Sequence, residues 1–158
     1  MYNGISQDML VGAPLDRTAE FDSAQTIETL RQAIASHGHD VVLVEADVEA
    51  YEQLRQSRAD LVFNIAEGTH GEDRESQIPA MLEMLGLPYT GSGPLALALC
   101  LHKGKAKEIL SWHGIPTPPF RVAAQPADLD GFCCPFPLIV KLLHEGSSMG
   151  LSYAAVVD

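Results

Sequence analysis

Apolar positions along the chain repeat with two different periods, and the change from one to the other organises the sequence. Ile27, Leu30 and Ile34 recur at three and four residues and so share one helix face. Asp22 is placed to cap that helix, with Gln25 at the capping-box position and Gly38 as its stop. The β-branched run 41–44 predicts a buried strand; Val48, Tyr51 and Leu54 predict a helix over 48–56; and 61–65 reads as another apolar strand. From Arg74 to Leu85 the stripe Ile78, Met81, Leu82, Leu85 predicts an amphipathic helix ended by Gly86 and Pro88. An extended piece at 87–90, a Gly91-Ser92-Gly93-Pro94 turn, a helix starting at Leu95 and another over 103–113 continue the alternation.

Ile115-Pro116-Thr117-Pro118-Pro119 cannot be helical and marks a linker near 114–119. Beyond it, 120–123, 138–142 and 151–155 read as short strands, and only 126–129 suits a helical turn. Strands alternating with helices over the first ninety or so residues imply a parallel sheet covered by helices on both faces. The last forty imply an antiparallel sheet cut off early. The expected class is α/β, with one domain over 1–93 and the start of a second over 94–158.

Composition narrows the function. The chain has 158 residues, 46% of them apolar and 20% charged, which suits a soluble folded protein. Its 10 basic and 21 acidic residues give a net charge of −11, which opposes adhesion to nucleic acid or to an anionic membrane. The longest apolar run, 95–101, is far shorter than the roughly 20 residues of a membrane span. The N-terminus shows no secretory pattern, and Cys100, Cys133 and Cys134 have no metal-type spacing. The expectation is a cytoplasmic protein whose cysteines are reduced packing residues, without nucleic-acid or membrane partners.

Two loops carry candidate chemistry. The first, Glu67-Gly68-Thr69-His70-Gly71-Glu72-Asp73, leads from an apolar strand into the helix at Arg74, and ligands of open parallel sheets bind at such strand ends. Asp73 reads first as an N-cap, and Gly68 and Gly71 as suppliers of backbone freedom. The second is Glu145-Gly146-Ser147-Ser148-Met149-Gly150. Two glycines around paired hydroxyls let backbone amides face an anion, and Lys141 can reach the same phosphate; an unliganded hairpin turn fits those residues equally well. Lys103, Lys105 and Lys107 form the densest basic cluster, although most helix lysines are merely solvated. His37 and His39 complete no metal set, and His70, His102, His113 and His144 read as structural or solvent-facing.

Together these segments resemble the D-alanine:D-alanine ligase family of ATP-grasp enzymes. The resemblance rests on Gly68-Thr-His-Gly-Glu-Asp73 and its helix, Leu85-Gly-Leu-Pro-Tyr-Thr-Gly-Ser-Gly93, His102-Lys103, Gly114-Ile-Pro-Thr-Pro118, and Ile139-Val-Lys141 followed by Glu145-Gly-Ser-Ser-Met-Gly150. It implies an N-terminal pre-ATP-grasp, Rossmann-like domain followed by the first, incomplete part of an ATP-grasp α+β domain. It also implies that Lys103 and Lys141 hold ATP phosphates, and that Glu145 and Gly146 open a phosphate loop whose Ser147 and Ser148 lie near phosphate and first substrate. Ala19-Glu20 followed by Ser23 is similar to the segment whose glutamate binds the ammonium of the first D-alanine.

Departures are as informative. Glu67 stands where the family usually has a histidine before Gly68, exchanging a neutral or cationic group for an anion beside the amino-acid site. His102 replaces an aspartate, Leu142 a proline, and 73–77 a more glycine-rich helix start. These changes suggest a divergent branch and bear on D-alanine specificity. The implied reaction is ATP-dependent carboxylate-amine ligation through an acyl phosphate, supplying a peptidoglycan precursor dipeptide for the cell wall. Magnesium would accompany ATP, with its ligands expected beyond residue 158, so the segment is expected to be inactive alone and to leave an edge open to self-association, for instance as a homodimer. The alternatives are a ligase for other amino acids and a non-catalytic binding module.

Overall fold

A computed structural model of the chain describes residues 1–6, 9, 16 and 18–158, in two compact units covering 1–98 and 99–158. In the first unit, helices α1 (Ala24–Ala35), α2 (Ala50–Ser57) and α3 (Arg74–Leu85) accompany a core of Val44, Ala46, Ala50, Leu54, Val62, Ala66, Ile78 and Leu82. Helix α4 (Pro94–Leu101) runs across the sequence boundary between the units.

Among the described residues the expected parallel sheet is not formed as paired strands, and parallel pairing occurs only as isolated bridges. Tyr2 bridges Glu45, Gly4 bridges Asp22 and Val62 bridges Tyr89, each in parallel and each as an isolated contact. Backbone bonds from Tyr2 to Val44, Ala46 to Tyr2, Met1 to Phe63, Ile65 to Met1 and Val62 to Pro88 set four extended segments side by side, in the order 44–46, 1–4, 62–65, 88–90. The run 41–44 does not form the buried strand that its β-branched residues predict. Only Val44 is buried, while Val42 and Leu43 are exposed, so burial drives just one or two positions of that segment.

Helix α1 starts one residue later than predicted. Ser23, not Asp22, is its cap, and the Ser23 hydroxyl accepts the Thr26 N–H at 3.1 Å. The inward face of α2 also differs: Ala50 and Leu54 are buried at a spacing of four, while Val48 and Tyr51 are exposed. Helix α3 has the predicted limits. Ile78, Pro79 and Leu82 form its buried face, with Met81 and Leu85 packed at the margin, and Gly86 ends it at a φ of 67°. Asp73 precedes α3 but makes no side-chain cap; its carbonyl accepts from Ser76 instead.

In the second unit, helix α5 (Lys103–Trp112) is capped by the His102 ring, whose Nδ1 accepts the Lys105 N–H at 3.1 Å. A 3-10 turn occupies Pro126–Leu129, where backbone N–H groups of Ala124 and Gln125 bond the Asp128 carboxylate and hold its carboxyl below the usual range. Strands β1 (Leu138–Ile139) and β2 (Val156–Val157) pair antiparallel, with Leu138 opposite Val157. The run 151–155 is not a strand: Tyr153–Ala155 is a 3-10 turn opened by the Ser152 hydroxyl, and the strand begins only after it. No strand forms over 120–123. The cysteines are free, but Cys100 and Cys133 are exposed and only Cys134 is half-buried, so they do not serve as core packing. Among the described residues no helix is long and apolar enough to cross a membrane.

Candidate functional site

In the second unit, the chain leaves β1 through Val140 and Lys141 and enters a turn over 143–150 that returns toward β2. Helix α5 fixes the near side of this turn. The Lys103 backbone N–H donates to the Leu143 carbonyl at 3.0 Å, and its ammonium donates to the carbonyl of Glu145. Gly104 is required for that approach, because a Cβ there would lie 2.8 Å from Val122 and 3.4 Å from Leu143. The His102 and His144 rings meet edge to face with centroids 4.4 Å apart, so both bracket the start of the loop rather than being scattered.

The loop itself is closed by Met149 N–H to Gly146 O at 2.9 Å and Leu151 N–H to Ser148 O at 3.1 Å. Ser147 and Ser148 both take left-handed backbone angles, with φ of 43° and 61°. The sequence suggests glycines as the source of such freedom. Gly150 has it, at 71°, but the two central positions are serines, which occupy that region at a cost of roughly 1 kcal/mol or more each. Lys103, Lys141, Glu145, Gly146, Ser147 and Ser148 line one cavity of about 230 Å³. Leu142, Met149 and Leu151 complete its wall. Two lysines and two serines lining one space suit a polyanion such as the phosphates of a nucleotide.

The first unit holds Glu20, Glu67 and Gly68. Glu20 is buried in an ion pair: its Oε2 lies 2.7 Å from Arg74 Nη2, and the two side chains are 5% and 9% exposed. Gly68, at a φ of 75°, rests on the first residue of α3, so that a Cβ would lie 2.8 Å from the Arg74 carbonyl carbon and closer still to its oxygen. Asn3, itself buried, accepts the N–H groups of both Glu67 and Gly68 on its Oδ1 at 2.9 Å and donates to Ala46 O. Burial raises the Glu67 carboxyl above its ordinary value, and the Glu75, Glu20 and Asp22 carboxylates push the same way against Arg74. Ionisation of Glu67 therefore works against the folded state.

Asn3 and Arg74 are not singled out by the sequence. An Asn after a strand and an Arg opening a helix are ordinary residues, and only the tertiary structure shows their bonds. Lys105 and Lys107 stay outside the cavity: Lys105 pairs with Glu108 at 2.8 Å, and Lys107 bonds Thr117 at 2.7 Å over the Phe120 ring. No group of three His, Cys, Asp or Glu able to hold a metal occurs among the described residues, so none of them is assigned to magnesium.

No family model matches the chain. Individual proteins do match it. A D-alanine--D-alanine ligase of Pelotomaculum thermopropionicum is 34% identical over 141 residues, which is 83% of this chain and 44% of the relative. One from Pseudomonas entomophila is 42% identical over 123 residues, 77% of this chain and 38% of the relative. The chain is homologous to D-alanine--D-alanine ligases. The crystal structure of the D-alanine--D-alanine ligase of Bacillus anthracis shares its fold with a TM-score of 0.57 and 25% identity, over 91% of this chain and 45% of that one. The chain thus spans less than half the length of these ligases.

Proposed function

We propose that the chain is the N-terminal segment of an ATP-dependent carboxylate-amine ligase of the D-alanine--D-alanine ligase type. In this reading residues 1–93 form the Rossmann-like pre-ATP-grasp domain and 94–158 the beginning of the ATP-grasp domain. Four extended segments side by side in parallel support the first part, and the antiparallel β1–β2 pair supports the second. The observation that carries the function is the cavity lined by Lys103, Lys141, Glu145, Gly146, Ser147 and Ser148.

Lys103 and Lys141 neutralise phosphate charge, and the Ser147-Ser148 turn presents hydroxyls and amides to the same oxygens. ATP, when bound, supplies the phosphoryl group that activates a carboxylate toward an amine. Lys103 has a second duty, since its bonds to Leu143 and Glu145 keep the loop in register with α5. The product dipeptide would serve peptidoglycan synthesis in the cytoplasm. Glu67 favours a second reading, a ligase for other amino acids, because its half-buried carboxyl changes the charge beside the amino-acid site.

The test is ATP-dependent phosphate release by the full-length protein over a panel of D- and L-amino acids. D-alanine turnover is expected, with Lys141→Ala lowering kcat/KM about a hundredfold. Turnover with other amino acids but none with D-alanine selects the second reading, and no amino-acid-dependent phosphate release with any member overturns both.

A further inference from the structure

The imidazole of His102 sits where the start of α5 meets the cavity loop, and it carries an inference that rests on the ligase reading and adds a residue to its nucleotide site. Its Nδ1 accepts the Lys105 N–H at 3.1 Å, so that nitrogen is unprotonated and the ring is neutral whenever the cap is made. The same ring meets His144 of the loop edge to face, with centroids 4.4 Å apart. It also folds back over Gly104, where a Cβ would lie 3.2 Å from His102 Cε1. The next residue, Lys103, donates its N–H to Leu143 O at 3.0 Å and its ammonium to Glu145 O, and it lines the cavity. Neither histidine lines it, so His102 acts on that space through Lys103.

We propose that His102 is a positioning residue for Lys103: the neutral imidazole holds α5 in the register that places the Lys103 ammonium in the cavity, and protonation releases it. Histidine is the side chain whose charge changes near neutral pH. A proton on Nδ1 sets a donor against the Lys105 N–H and a cation at the helix N-terminus, where the macrodipole is already positive. The cap is therefore present at the alkaline end and lost as pH falls. The charged and titratable groups on the elements packed here are Lys103 and Lys105 on α5, with Lys105 paired to Glu108 at 2.8 Å, and Lys141, His144 and Glu145 on the loop. The segment at 120–123 brings Val122 to Gly104, while its Arg121 lies over the Phe132 ring. Cations outnumber carboxylates in that set, which opposes a further positive charge on the ring.

Calorimetry with ATP on the full-length protein at about pH 8 and about pH 5.5 tests this, alongside His102→Asn, whose carboxamide oxygen caps a helix without titrating. On acidification the parent protein is expected to lose about fivefold more affinity than His102→Asn, which should bind within about twofold of it at the alkaline end. His102→Ala has no cap and is expected to bind about fivefold more weakly already at the alkaline end. Amide exchange gives a readout independent of nucleotide: protection of the Lys103 and Lys105 N–H groups should fall in acid in the parent and persist in His102→Asn. An equal acid loss of affinity in those two proteins overturns the proposal; should that loss vanish in His144→Gln, the loop histidine is the group that titrates. Alkaline-end affinity of His102→Ala equal to the parent's overturns it too, because Lys103 would then keep its place without the cap. If the parent protein binds no ATP at either pH, the ligase reading fails, while the exchange measurement still decides whether neutral His102 holds Lys103.

Discussion

The loop at 67–68 and the loop at 145–150 both follow an extended segment, and they are held by opposite means. The first is fixed from outside itself. A buried amide from residue 3 satisfies two of its N–H groups, and the backbone of α3 closes against its glycine. The second is held by its own turn bonds and by one lysine, and two of its serines stay exposed in left-handed conformations. Rigid, buried support suits a site that discriminates one small group from another. A turn with exposed serines suits a phosphate group, whose charge is large and whose shape is generic.

The comparison breaks most readily at Gly68. Alanine there would combine a left-handed φ with overlap on the Arg74 carbonyl, a contact that cannot yield because it is backbone at the start of a helix. Chemical denaturation of Gly68→Ala should show a loss of roughly 4 kcal/mol. A loss below about 1 kcal/mol would mean that the loop is free to move away from α3. Asn3→Ala follows. It removes the acceptor of two N–H groups, one of them buried, and should cost about 3 kcal/mol by the same measurement, with faster amide exchange at Glu67 and Gly68.

How much of each loop the sequence discloses follows from how it is held. The second loop is legible because its chemistry is local: Lys141, Glu145, Gly146, Ser147 and Ser148 lie within eight consecutive residues. Only Lys103 comes from afar, and it stands out as a basic residue in an acidic chain. The first loop is half legible. Gly68 and Glu67 are visible as a glycine turn and a departure from the family pattern, but the residues that fix them lie about 64 positions away at Asn3 and one helix start later at Arg74. Helix α3 is predicted to the residue because its stripe and its Gly86 stop agree. The strands are not, because 41–44 and 151–155 are apolar in composition yet largely exposed, and composition alone does not tell which positions find a partner.

The smallest effect sharpens the comparison most. Ser147 and Ser148 pay for their left-handed angles, so glycine at each position relieves strain in the folded loop and loosens the unfolded chain at the same time. The two contributions nearly cancel, and Ser147→Gly with Ser148→Gly should change stability by no more than about 1 kcal/mol, in the stabilising direction. Phosphate affinity should move the other way, because both hydroxyls are lost from the cavity wall and the turn no longer favours one conformation. A protein slightly more stable and a nucleotide bound about tenfold more weakly, read by denaturation and by calorimetry with ATP on the full-length protein, is the signature of strain kept for binding. Equal affinity in the double variant would assign the serines to the turn alone and leave the two lysines as the sole recognition of phosphate.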